Sequence, residues 1–229
     1  MVVDWCLKHN INTRRVDTSS RSSATALRSE APLPSLVSCT QQTPFAKLMM
    51  KYKPEVFIFQ FPIVKTFVVH TIYYQLLSAT YARLRLKDEF WTATINAHAL
   101  QAIIHWCMVF GSHGCNDTHW KRLSLSNTSD LQDDFRKRCL STLRLTQPQW
   151  DGYWKKMTTF RNEYAAHRRI KSSQPVPDLE AALKIAYFYD HWIREVILPD
   201  RMDEQPLEKT AQDIEKVLPV RLDHIMTIM

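Results

Sequence analysis

The chain has 229 residues, 45% of them hydrophobic and 11% aromatic, with a formal net charge of +7. That is material for one core and a tail, and the basic balance suits a polyanionic partner, of which nucleic acid is the commonest. Only three glycines occur (Gly111, Gly114, Gly152), with no GxGxxG, Walker-type or GxSxG pattern, which argues against the common nucleotide-cofactor enzymes and against a many-turned β protein.

Residues 1–45 are rich in Ser, Thr, Arg and Pro and carry few large apolar groups. Such a segment cannot bury enough surface to offset its ordering entropy, so a disordered tail, or a start codon set too far upstream, is expected. No apolar signal-peptide core opens the chain. Five scattered cysteines without a CxxC pair (Cys6, Cys39, Cys107, Cys115, Cys139) suit a reducing, cytoplasmic setting. Residues 55–77 are apolar enough to raise a transmembrane span. Gln60, Pro62, Lys65, His70 and Gln75 interrupt them and are expensive in lipid. A buried helix from Pro62 to Leu86 is predicted instead, with 56–61 as a separate entry segment because proline breaks the hydrogen-bond ladder.

Asp88 opens a second helix whose buried stripe is Leu100, Ile103, Cys107 and Phe110, and Gly111 terminates it. After a loop, Ser129 or Asp130 caps a third helix over 131–145, with Asp133 and Asp134 facing solvent. Thr146 and Pro148 start a fourth element, where a cap and an N1 proline belong. On it Trp150, Tyr153, Met157, Phe160 and Tyr164 recur at three- and four-residue steps, which makes one face apolar. Asp178 caps the last long helix, with Leu179, Leu183, Ala186, Ile193 and Ile197 on one face; Asp190 interrupts that face and needs a partner. Pro199 stops it, and one short amphipathic helix over 207–218 ends at Pro219. The expected architecture is all-α: an up-and-down four-helix bundle over 46–198 and a C-terminal extension over 199–229.

Several constellations carry chemistry. Near the end of the helix from Pro148, Arg161 and His167 border the apolar stripe, about 60° to either side of Tyr164 and roughly 9 Å apart along the axis if the helix is α throughout. A guanidinium grips phosphate with paired donors, and an imidazole moves protons near neutral pH. The same residue types also occur as a packed histidine and a solvated arginine. Cys107, His113, Cys115 and His119 are zinc-type ligands in no standard spacing, so no metal site is expected. Trp150, Tyr153, Trp154 and Phe160 could stack bases, although at helical spacing they read as core. No nucleophilic triad or carboxylate pair stands out.

Two blocks together, residues 102–123 (AIIHWCMVFGSHGCNDTHWKRL) and 160–169 (FRNEYAAHRR), resemble the HEPN superfamily in its AbiU-type abortive-infection branch. The first matches a WC-x-VFG…HW block, and the second an Arg followed after five residues by a His. The resemblance implies a homodimeric helical bundle, a defence or toxin–antitoxin setting with a possible antitoxin protein, and metal-independent RNA cleavage without a cofactor. His167 would move the proton, Arg161 would bind the phosphate, and Asn162 would orient a phosphate oxygen or His167. Lys155, Lys156, Arg168 and Arg169 would grip the RNA backbone. The position where some toxin members carry a modifiable Tyr is Arg169. The alternative is a noncatalytic module binding RNA, nucleotide or protein.

Overall fold

A computed structural model describes residues 52–124, 130–166, 175–197 and 202–228; the expected N-terminal tail lies outside them. Every regular element among these residues is helical, and the one extended pairing is an isolated bridge between Tyr52 and Ser124. The helices are α1 (Pro54–Leu84), α2 (Glu89–Phe110), α3 (Asp130–Leu143), α4 (Gln147–Phe160), α5 (Leu179–Ile197) and α6 (Leu207–Ile228), with a 3-10 turn at Trp120–Leu123 and a π-helical turn at Arg161–Ala166.

Local chemistry explains most boundaries. Asp88 caps α2 by accepting from the Phe90 N–H at 2.7 Å. Thr146 and Gln149 form a reciprocal capping box at the start of α4. Asp178 Oδ1 accepts from the Glu180 N–H ahead of α5. Arg85 ends α1 in the left-handed region at φ 50°.

The two prolines expected to interrupt helices do not. Pro62 lies inside the 31-residue α1, so 56–61 is part of that helix and not a separate segment. Proline strips the N–H from the carbonyl four residues back, and here that carbonyl belongs to Ile58, which is exposed to water. Pro219 likewise sits within α6, opposite exposed Glu215. The short C-terminal helix expected over 207–218 is therefore 22 residues long.

α1 is long and apolar enough to cross a membrane. In this fold its Val64, Phe67 and Val68 are at most 1% exposed, and it pairs most extensively with α2 and next with α6. α3 packs on α5, while α4 and the π turn pack on α2. The core gathers around Phe110 and Phe135, which Trp120, Phe188, Tyr189 and Trp192 join at ring-contact distance. A smaller cluster ties Leu222 of α6 to Leu77, Tyr81, Trp91 and Ile95.

Asp190 finds its partner here. It is 1% exposed, accepts from Arg194 Nε at 2.9 Å, and accepts from the Leu207 N–H, the first of α6, at 2.8 Å. A buried carboxylate thus satisfies an orphan amide of one helix from the middle of another and favours the positive end of its dipole.

Candidate functional site

The apolar stripe of α4 forms as its periodicity predicts: Trp150, Met157 and Phe160 are buried, and Tyr153 and Tyr164 are half-buried. This face fastens α4 to the end of α2. Trp154 Nε1 donates to the Gly111 carbonyl at 3.1 Å, the Cys107 thiol lies 3.8 Å from the Met157 carbonyl, and the Tyr153 hydroxyl donates to the Asp178 carbonyl at 2.6 Å. Burial pushes the Cys107 thiol up to about 12, against the pull of the Arg161 guanidinium, which makes it a packed sulfur and not a nucleophile.

At Arg161 the helical register changes. Residues Arg161–Ala166 form a π turn, the wider i→i+5 winding that is rare and concentrated at functional sites. The even α-helical step therefore does not run through residues 161–166. His167, Arg168 and Arg169 lie outside the described residues. Arg161 is half-buried at the edge of the core, and its Nε donates to Asn162 Oδ1 at 3.0 Å. That bond orients the guanidinium and leaves its Nη edge without an ion pair among the described residues. Asn162 therefore acts on Arg161 directly.

Lys155 and Lys156 are exposed on α4. They stand about 120° and 140° around the helix from Arg161, so they flank it and do not share its face.

The WC…FG…HW block is built differently. Gly111 ends α2 at φ −78°, so it is not there for a left-handed cap; a Cβ on it would come within 2.4 Å of the Cys107 carbonyl oxygen. Its own carbonyl accepts from Trp154 and from His119 Nε2, at 3.1 Å each. His119 Nδ1 accepts from the Lys121 N–H at 3.2 Å, which fixes the neutral tautomer. The His119 carbonyl accepts from Gln60 Nε2 at 2.9 Å, and Gln60 Oε1 accepts from the Tyr189 hydroxyl at 2.8 Å. Burial, with the charges of its neighbours, pushes His119 down to about 3. It is a tie within the fold and stays uncharged at neutral pH.

Among the described residues, no group of three or more His, Cys, Asp or Glu side chains could hold a metal ion. Cys107 is buried, whereas His113 and Cys115 are exposed. Asp134, expected in solvent, is half-buried and accepts from Trp192 Nε1 at 2.6 Å, while Asp133 is exposed.

Two features escaped the sequence. His70 and His98 join α1 to α2 through their Nδ1 atoms, 2.8 Å apart, with His105 stacked on His70; burial lowers both, and for His70 so do the neighbouring imidazoles. A cavity of about 240 Å³ also opens between the end of α2, the 3-10 turn and the start of α4. The signal for the first was present, three histidines on stripes of adjacent helices, but only the α1–α2 pairing brings them together.

No protein-family model, curated protein or solved structure matches the chain.

Proposed function

We propose that the chain is a metal-independent endoribonuclease of HEPN type, a four-helix bundle that pairs with a second copy to bring two Arg–His motifs into one cleft. The observation that supports this most is Arg161: a half-buried guanidinium at the rim of the core, hydrogen-bonded to Asn162 at a π turn and without an ion pair among the described residues. His167 takes the proton from an RNA 2′-hydroxyl. The 2′-oxygen attacks the adjacent phosphorus, the bond to the 5′-oxygen breaks, and that oxygen leaves with a proton, so the products are a 2′,3′-cyclic phosphate and a 5′-hydroxyl. Arg161 stabilises the charge that develops on the phosphoryl oxygens. Lys155, Lys156, Arg168 and Arg169 supply salt-sensitive backbone attraction. Such an enzyme fits a cytoplasmic defence or toxin–antitoxin role with a protein antitoxin.

A noncatalytic binding module is the second reading, and the cavity beside Trp154 favours it. One experiment separates the two: incubation of total RNA with wild type, Arg161→Ala and His167→Ala in EDTA. The nuclease cuts, and both variants lose cutting. Cleavage that survives both substitutions contradicts the site, and an inert but RNA-binding wild type supports the module.

A further inference from the structure

The cavity of about 240 Å³ is walled by Trp150 and Trp154 of α4 and rimmed by His113, Lys121 and Arg136, with Asp151 the one acidic residue that lines it. It lies below the about 300–1,000 Å³ usual for drug-sized ligands, which leaves room for one flat ring and one small charged group. Its chemistry divides accordingly. Lys121 Nζ and Arg136 Cζ lie 5.7 and 5.9 Å from the ring of Trp120, which also packs against Phe135 at 4.5 Å and His119 at 5.7 Å. Trp120 is thus a buried post that holds two cations at the mouth, and it is not itself a stacking surface. Desolvation lowers His113, and the charges of Arg122 and Lys121 lower it further, which marks the same rim as electropositive. Among the described residues Lys121 makes no ion pair, and Arg136 makes none either, its side chain donating to Gln147 Oε1 at 3.3 Å. Half-buried Trp154, with its Nε1 already spent on Gly111, offers its ring and not its polar edge.

We infer that this cavity binds a nucleotide unit, with the base against Trp154 and Trp150 and the phosphate at Lys121, Arg136 and His113. Paired donors and permanent charge suit the phosphate, and every base has a face for an indole. The ligand is either a free mononucleotide or one residue of an RNA strand. Trp154 and Arg161 are seven residues apart, about 20° from eclipsed and about 10 Å along the axis, so a strand seated here runs toward Arg161. The site does not depend on the ribonuclease reading, because a mononucleotide fills it without being cut.

The test is calorimetric titration of the full chain with AMP, with inorganic phosphate, and with hexaadenylate carrying 2′-O-methyl groups, which cannot be cleaved. Wild type binds AMP or the hexanucleotide more tightly than phosphate. The double variant Lys121→Gln/Arg136→Gln, checked for folding by circular dichroism, weakens that binding about tenfold. Asp151→Asn, on an exposed residue, tightens it about threefold by removing the repelling charge. Binding of AMP identifies a free-nucleotide site, and binding of the hexanucleotide alone identifies a strand subsite. The inference is overturned if neither probe binds, if phosphate binds as well as AMP, if the double variant does not weaken binding, or if Asp151→Asn fails to tighten it.

Discussion

The Gly111–His119 region and the Arg161–Ala166 turn both lie against α2, yet they spend their polar atoms in opposite ways. In the first, the Gly111 carbonyl, both nitrogens of His119, Gln60 and the Tyr189 hydroxyl satisfy one another inside the core. In the second, the helix widens at the edge of the core, and the described polar bond of a half-buried guanidinium is to a neighbouring amide. A motif search treats the two blocks alike because both contain His, Arg and aromatic residues. The structure separates them: the first is a closed buried network, and the second holds a half-buried guanidinium without an ion pair among the described residues.

The largest expected effect is on the paired interior. Asp190→Ala strips both Arg194 and the first amide of α6 of their acceptor, and loss of one partner from a buried ion pair costs about 3–5 kcal/mol. Chemical denaturation of the two proteins reads this directly, and a loss below about 1 kcal/mol would remove Asp190 as the tie between α5 and α6. Gly111→Ala comes next. Its Cβ would meet the Cys107 carbonyl oxygen at 2.4 Å, a backbone atom that cannot swing aside, so about 3 kcal/mol of stability is lost, seen as a lower midpoint in the same assay.

Acid tests the same network. His119 titrates near 6.5 when unfolded and is held down to about 3 in the fold, so between those values the unfolded chain binds the extra proton. Stability is complete above pH 6.5 and falls as pH drops below it, by about 1.4 kcal/mol per pH unit for this one group. His70 and His98, lowered in the same direction, add to the slope from the α1–α2 seam. Thermal midpoints measured from pH 7.5 to pH 5 fall with acid, and His119→Asn flattens the curve.

Much of the secondary structure was legible because its signals are local. Thr146 and Pro148, Asp88 and Asp178 mark helix starts by their own chemistry, and the stripe through Trp150, Met157 and Phe160 appears at helical spacing. What was not legible depends on distant residues. Asp190 announced a need for a partner, but the partner is a main-chain amide seventeen residues away. Gln60 meets Tyr189 across 129 residues. Pro62 and Pro219 look like breaks until the carbonyls they orphan are seen at the surface. Of the candidate site, Arg161 and Asn162 are joined by a hydrogen bond within a π turn, while His167, Arg168 and Arg169 lie outside the described residues. The π turn was invisible because the angular estimate assumed an even α-helical step through the motif. Lys155 and Lys156 belong to other sides of the helix, a consequence of adjacent positions turning about 100° per residue.

The smallest expected stability effect belongs to the group assigned the largest functional one. Arg161→Ala removes an edge side chain whose described polar bond is to its own neighbour, so stability shifts by at most about 0.5 kcal/mol. Measuring the thermal midpoint and the RNA-cleavage rate of this variant on one preparation, beside wild type, tests the central claim most directly. The account predicts an unchanged midpoint with cleavage abolished. A midpoint that falls along with cleavage would make Arg161 part of the packing, and cleavage that continues at the wild-type rate would remove it from the site.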